Sequence, residues 1–379
     1  MKTGEYGQAG KLVKVDLDVR DILMDYGAGG ASLCFNCGNC TAICPPSENG
    51  APFPRSIVRS VQLGSRSDIL HSPEPWLCYF CNECSATCPR DAKPGNTMAA
   101  ARKYQIRSAT LAPVADLLVS KKWGVFLLLG VTALLYYAGL YYTGALKLPS
   151  RLLFQAFVPE EVMHIAGMVA GIFAVAVMGV AILRVLYWIS RDRESRYSTL
   201  GAKISAVFRS IPLVFTEVVA QRRMSKCKTG RPRWIGHMMT MWGFIGLFVT
   251  SGLIYMLNPG LANYPYSFTN PIQILANVSA ASLVIGMSIL LMDRRTGRAT
   301  LQDHNYLDWV FFYTIFAAGI TGLVVEAFRF SGLLIPTFIA YSIHIINVLF
   351  LIAFAPFSKF AHVGIRPFVI WYSKYAGLL

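Results

Sequence analysis

Eight of the nine cysteines fall into two runs of one pattern, Cys34-x2-Cys37-x2-Cys40-x3-Cys44-Pro45 and Cys78-x2-Cys81-x2-Cys84-x3-Cys88-Pro89. One such run can wrap three thiolates round one side of a four-iron cubane, and the fourth ligand has to come from elsewhere. Where the pattern is duplicated, the last cysteine of each run serves the other cluster. Cys34, Cys37, Cys40 and Cys88 are therefore expected to hold one [4Fe-4S] cluster, and Cys78, Cys81, Cys84 and Cys44 the other. Zinc prefers paired Cys-x2-Cys knuckles well apart in sequence, and disulfides need neither this spacing nor its repetition. The ninth cysteine, Cys227, lies in a basic stretch with no partner run and reads as a free thiol.

Six histidines complete the metal-binding vocabulary: His71, His164, His237, His304, His344 and His362. His71 sits just before the second cysteine run, where eight cysteines already suffice. His344 and His362 stand five helical turns apart, about 27 Å on one face if the helix runs on past Pro356. An imidazole on an apolar helix tends to face the interior of a bundle, so the pair is expected to supply axial ligands to two haems. Orientation then pairs His164 with His344 at an outer haem and His237 with His362 at an inner one. His304, at the inner edge, is the rival to His237 or a contact for a quinone head group. No Cys-x-x-Cys-His occurs, so the haems are expected to be b-type. Arg184 is placed either to meet a haem propionate or to snorkel to the interface. Glu326 is a candidate proton acceptor for quinol or a plain interfacial carboxylate. Met238, Met239 and Met241 read as core packing.

Those side chains need a frame. The chain has 379 residues, 54% hydrophobic and 15% charged, with a mean hydropathy of +0.46, too apolar for a soluble domain. The excess lies beyond residue ~110. Six apolar stretches follow, at roughly 123–142, 162–188, 234–257, 271–292, 307–328 and 334–357. Each is about long enough to cross ~30 Å of hydrocarbon, and Trp and Tyr mark several ends. Residues 1–112 are expected to form a cytoplasmic two-cluster domain, and residues 113–379 a transmembrane di-haem domain. The whole is all-α: an α-helical, ferredoxin-like two-cluster domain followed by a six-helix cytochrome b bundle. Within the front domain, Phe53 to Gly64 predicts one helix, and Asn96 to Arg107 another, with Asn96 as its cap.

Charge gives the orientation. The net charge is +15, and Ile189–Arg233 holds 11 Lys+Arg against 3 Asp+Glu, while Asn258–Asn270 is uncharged. The basic loops should lie inside. That puts both termini and the cysteine domain in the cytoplasm, with no secretory signal at the start. Leu200–Arg222 is expected to lie at the interface as one or two amphipathic helices. Basic residues confined to loops beside apolar segments give no footprint for nucleic acid.

A family resemblance is visible in these residues. The two cysteine runs, Phe53-Pro-Arg-Ser-Ile-Val-Arg between them and Cys78-Tyr-Phe-Cys-Asn-Glu-Cys-Ser-Ala-Thr-Cys-Pro-Arg resemble the iron–sulfur C subunit of heterodisulfide reductases. The remainder resembles the membrane cytochrome b of that group and, more distantly, the gamma subunit of respiratory nitrate reductase, which also carries haem-ligating histidines 18 apart on one helix. Unlike that relative, the helix of His237 has Thr250 and Ser251 where a further histidine would fall. The fusion resembles the C subunits of the quinone-interacting membrane-bound oxidoreductases of sulfate reducers. The resemblance implies cytoplasmic flavin- and iron–sulfur-containing partner subunits, menaquinone as lipid substrate and delivery of electrons toward adenylylsulfate reductase.

Together these features describe a redox relay between a quinol and a cytoplasmic partner. The alternatives are a heterodisulfide-reductase-type subunit using another lipid carrier, and a haem-free membrane anchor for an iron–sulfur complex. A redox-driven ion pump would need a chain of buried carboxylates, and the apolar stretches contain few acids.

Overall fold

A computed structural model of the chain describes residues 14–44, 47, 53–146, 152–191, 200–221, 231–257, 266–296 and 306–376. His304 and Cys227 lie outside these residues. Among the described residues the chain is helical, with one isolated β-bridge, Val15 to Ser65, and no strand.

The cysteine domain is built of short helices: α1 (Leu17–Leu23), α2 (Asn39–Ala42), α3 (Arg55–Leu63), α4 (Arg66–Leu70), α5 (Glu74–Leu77), α6 (Glu83–Ala86) and the longer α7 (Pro94–Ala109). In α3, Ile57, Val58 and Val61 share one face and are buried. The helix ends at Gly64, whose φ of 61° is left-handed. A Cβ there would strike the Asp16 carbonyl at 2.3 Å, so the close approach that sets the Val15–Ser65 bridge requires glycine. α7 starts earlier than expected. Pro94 occupies its first turn, the position where a missing N–H costs least. Asn96 is therefore not a cap but a buried residue inside the helix. α7 is the domain's axis. Its small residues Ala100, Ala101 and Ala109 let neighbours approach, and Gln105 donates to the carbonyls of Ile69, Leu70 and Ser72.

After α8 (Ala112–Ser120) come α9 (Lys122–Tyr142), the single-turn α10 (Phe154–Phe157), α11 (Glu160–Arg191), α12 (Leu200–Val219), α13 (Arg231–Leu257), α14 (Pro271–Thr296), α15 (Tyr306–Phe330), α16 (Leu334–Phe354) and α17 (Ala361–Tyr375). Among the described residues, six segments are long and apolar enough to span a membrane: Trp123–Tyr142, Glu160–Arg191, Arg231–Leu257, Pro271–Thr296, Tyr306–Phe330 and Leu334–Tyr375. They coincide with the six expected stretches, mostly a few residues longer. The protein is thus all-α, with six candidate membrane helices behind the cysteine domain.

The last span is not one helix. α16 ends at Phe354, Ala355–Phe357 tighten into a 3-10 turn, and Ser358 is extended before α17 begins at Ala361. Pro356 has no N–H to continue the ladder, and the chain breaks there. The assumption of a helix running on past Pro356 therefore fails. His344 and His362 belong to different helices, so five-turn arithmetic does not relate their directions.

Glycines set the tightest crossing. A Cβ on Gly286 of α14 would meet the Thr240 nitrogen at 2.6 Å and the Gly236 oxygen at 2.7 Å, both backbone atoms of α13. One on Gly243 would meet the Ser279 oxygen at 2.6 Å. Small residues let two membrane helices touch by backbone.

The cysteine domain is seated on the bundle. Trp76 and Ile106 pack with Ala181, Val185 and Ile189 of α11 and with Ala361, Ile365 and Val369 of α17. Arg184 of α11 donates to the carbonyls of Ala109 and Thr110, at 3.2 Å each. It thus satisfies orphan carbonyls at the C-terminus of α7. Lys103 of α7 reaches Asp308 of α15 at 3.0 Å, and Lys359, in the helix break, reaches the same carboxylate at 3.2 Å. Asp308 is 3% exposed, so its charge is matched from the domain and from the break together. We expect Gly286→Leu to force α13 and α14 apart and to abolish a monodisperse species in detergent size-exclusion chromatography. Gly252→Leu, facing open space, is expected to leave the profile unchanged.

Candidate functional site

The two cysteine runs fold into the same loop twice. In the first, Asn36 and Gly38 have φ of 59° and 87°; in the second, Phe80 and Asn82 have φ of 56° and 64°. These left-handed residues fall at equal places after the first cysteine and curl the backbone so that its N–H groups point inward. The Asn36 N–H donates to Cys34 Sγ at 3.4 Å, and the Phe80 N–H to Cys78 Sγ at 3.3 Å. Each loop is braced from a neighbouring helix. Gln62 of α3 donates to the carbonyls of Ala31 and Cys34, and Arg102 of α7 to those of Pro75 and Cys78. Asn39 of the first run donates to the Thr87 carbonyl of the second at 2.7 Å, which ties the two together.

None of the eight cysteines is joined in a disulfide. Burial pushes the thiols of Cys44 and Cys84 well above the usual range, and neighbouring sulfurs add to it. The chief neighbours of Cys44 are Cys78 and Cys81; those of Cys84 are Cys78, Cys81 and Cys44. Cys40 is raised by burial too, with Cys34 and Cys37 beside it, and is itself the least of the neighbours of Cys44 and Cys84. Cys44 thus sits among the sulfurs of the other run. Buried thiols crowded in this way resist ionising unless positive metal offsets the charge. A tetrahedral ion about 2.3 Å from each sulfur would draw its ligands to within about 4 Å of one another. Among the described residues no group of three or more His, Cys, Asp or Glu closes round one ion, whereas a cubane spreads its thiolates wider. The thiols of Cys78, Cys81, Cys84 and Cys44 fit such a cluster.

The two loops differ in surroundings. In the first, Leu33, Phe35 and Cys37 are exposed. The second faces the bundle. Tyr79 donates its hydroxyl to Glu217 of α12 at 2.6 Å, and Arg233 of α13 donates to the Phe80 carbonyl and lies over the Phe80 ring. Arg366 of α17 lies over the Tyr79 ring, 4.4 Å from its centre. Burial pushes the Cys78 thiol up, while Arg102 and Arg366 pull against it. Arg102 is itself lowered to about 10, chiefly by burial.

Directly behind this loop lie two imidazoles. The rings of His237 (α13) and His362 (α17) are 6.2 Å apart, centre to centre. A metal–imidazole bond is about 2 Å, and the ring centre lies roughly 1 Å further on. Two imidazoles on opposite sides of one iron therefore stand about 6 Å apart, and the pair fits that separation.

Hydrogen bonding fixes which nitrogen is offered. His362 Nδ1 bonds the Lys359 carbonyl, which can only accept, so Nδ1 carries the proton and Nε2 keeps its lone pair. His344 Nδ1 lies 2.9 Å from Thr321 Oγ1, and that hydroxyl already donates to the Ala317 carbonyl at 2.6 Å. His344 must therefore donate through Nδ1 as well. His237 Nδ1 lies 2.9 Å from the Gln221 amide nitrogen, while Gln221 Oε1 is buried without a partner among the described residues. The same amide nitrogen lies 3.5 Å from Met241 Sδ, so the Gln221 amide donates and His237 Nδ1 accepts. His344 and His362 thus present a bare Nε2, as metal-binding imidazoles do.

His164 is placed differently. Its Nε2 is 3.7 Å from Glu160, and its ring packs edge-on against Tyr255 of α13. His344 instead lies against Thr321 and Gly322 of α15. The structure brings His237 and His362 together and does not bring His164 and His344 into ring contact. Glu326 is held by a two-pronged bond from Arg329 at 2.7 and 2.9 Å and by Gln273 at 2.8 Å. Arg184 places its Nη1 on the carbonyls at the end of α7. The residues that sequence reasoning missed are Arg233, Arg366, Gln221 and Thr321. The signal for two of them was there: Arg233-x3-His237 and His362-x3-Arg366 each put an arginine one turn from an imidazole.

Residues 33–93 match the 4Fe-4S dicluster domain. Over 180 residues, 43% of this chain, the protein is 26% identical to the E subunit of dihydromethanophenazine:CoB–CoM heterodisulfide reductase from Methanosarcina thermophila. It is 32% identical over 98 residues to a protein of Archaeoglobus profundus described as like the C subunit of heterodisulfide reductase, covering 26% of this chain and 52% of that one. It is also 35% identical over 88 residues to the C subunit of the H2:CoB–CoM heterodisulfide, ferredoxin reductase of Methanothermobacter thermautotrophicus, covering 23% of this chain and 48% of that one. The chain spans 66% of the length of the E-type relative and about half that of the two C-type relatives. No solved structure matches it significantly. The protein is thus a multi-pass membrane protein with an iron–sulfur dicluster domain, similar to subunits of oxidoreductase complexes. Cys44→Ser is expected to remove the cluster of the second run and spare that of the first. Cys37→Ser should do the reverse, so the electron resonance spectra of the two variants should sum to that of the parent.

Proposed function

We propose that this chain exchanges electrons between the menaquinone pool and cytoplasmic flavin- and iron–sulfur-containing partner subunits, through two haems b and two [4Fe-4S] clusters. From those partners the electrons would pass toward adenylylsulfate reductase. The observation that carries the reading is the seating of the second cysteine loop, through Tyr79 and Phe80, directly on the helices of the His237–His362 pair.

When bound, haem and cluster iron supply the one-electron chemistry that splits a two-electron donor into single steps. The chain's residues supply placement. Lys359 holds His362 and Thr321 holds His344 with Nε2 bare, and Gln221 orients the His237 ring. Trp76 and its apolar neighbours exclude water from the junction. For the outer haem, His344 is the first ligand and His164 its proposed partner, once the His164 ring leaves Glu160. For the lipid substrate, Glu326 and His304 are the candidate contacts. Arg329 and Gln273 hold the Glu326 carboxylate in place. The basic loops support a cytoplasmic cysteine domain and cytoplasmic termini.

A second reading has its own support. The E-type relative is named for dihydromethanophenazine, so a heterodisulfide-reductase-type subunit using another lipid carrier fits the same frame. Reduction of the purified complex by a menaquinol analogue against a phenazine-type carrier separates the two.

Haem content tests the common core of both. We expect about two protohaems per chain in the parent and about one in each of His362→Ala, His237→Ala and His344→Ala, measured by pyridine haemochrome. Iron and acid-labile sulfide without protohaem in the parent would leave the haem-free anchor instead.

A further inference from the structure

Arg366 has a property that ion pairing among the described residues does not explain. Its Nε and Nη2 are buried and without a partner among the described residues, while its guanidinium stacks on Tyr79. An unsatisfied buried donor is unfavourable, and more so when charged. Its surroundings add to the deficit. Arg102 and Arg233 are close enough for their charges to bear on the same groups. Arg102 spends its N–H groups on the carbonyls of Pro75 and Cys78, and Arg233 donates to Phe80. The Arg366 donors are left over at a place with an excess of positive charge.

The position is specific. Arg366 stands four residues beyond His362 on α17, and Arg233 four residues before His237 on α13, so each arginine shares a helix face with one imidazole of the pair. The charge of Arg366 reaches both His362 and Cys78. It therefore sits between the imidazole pair and the second cysteine loop.

We propose that Arg366 is a carboxylate-binding residue: it takes a propionate of the haem held by His237 and His362, and turns that edge of the haem toward the Tyr79–Phe80 loop. This rests on the reading of those two histidines as haem ligands. A planar guanidinium with two adjacent donors matches a carboxylate in geometry and charge. It also assigns to Arg366 the role considered for Arg184, whose Nη1 is engaged at the end of α7. A lipid phosphate offers similar chemistry, and the test separates the two.

The full-length chain is loaded with protohaem or with its dimethyl ester, which lacks both carboxylates, and transfer of haem to apomyoglobin is timed. Arg366→Gln is expected to lose protohaem from the His237–His362 site about ten- to a hundredfold faster than the parent, the scale of a charge-assisted bond. The same substitution should change loss of the ester by less than about twofold, and the low-spin bis-imidazole spectrum should persist. Equal rates of protohaem loss in parent and variant would overturn the proposal. So would an equal acceleration for the ester, which would point to a lipid phosphate or a purely structural role. If Arg366→Gln does not assemble, Arg366→Lys, which keeps the charge and loses the fork, carries the same comparison. A parent that holds both clusters and no haem fails at the histidines instead, and is told apart by its missing haem spectrum.

Discussion

Trp76 leaves no surface to water where the cysteine domain meets α11 and α17, and the placement of the second cysteine loop follows from that contact. Electron transfer weakens steeply with distance, so a relay needs its centres held by packing and not by a tether. Around Trp76 the structure supplies that hold in three chemistries: apolar packing with Ala181, Val185 and Ile365, the Arg184 bonds to the end of α7, and the Lys103–Asp308–Lys359 cluster. Removing one member of a buried charge cluster typically costs more than the pair contributes, since the remaining charge is left unmatched. The junction is therefore held as a unit.

The imidazoles obey the same accounting. In an apolar bundle a ring nitrogen without a partner is unfavourable, yet His344 and His362 each satisfy one nitrogen and leave the other bare. The acceptors that fix this arrangement are the Lys359 carbonyl, in the helix break, and a threonine whose own proton is already committed. The break in the last span thus has a chemical use. It places a carbonyl beside the ring and brings Lys359 to Asp308.

Much of this could be read from the residues alone. The duplicated cysteine spacing shows as a duplicated loop, down to the left-handed residues at equal positions, because the spacing itself demands that curl. The six spans were legible because twenty apolar residues have few other uses. Four features were not. The periodicity of the last span hides the break, since a single proline such as Pro356 can kink a helix or end it. Arg184 reads from the sequence as a propionate contact or a snorkelling side chain, and its bonds depend on where α7 ends, which is a tertiary fact. Asn96 has a capping side chain, but Pro94 two residues earlier takes the first turn. The orphan donors of Arg366 are invisible in sequence, because only packing decides which cations find partners.

The two cysteine loops, alike in backbone, are unlike in company. One is covered by Tyr79's contacts with α12 and α17, and the other shows Cys37, Phe35 and Leu33 to water. Peroxide or oxygen in the surrounding water meets the uncovered sulfur first. Damage would begin at the end of the chain of centres farthest from the lipid, and an electron arriving there would be the one most easily lost to an oxidant unless another protein sits over that face.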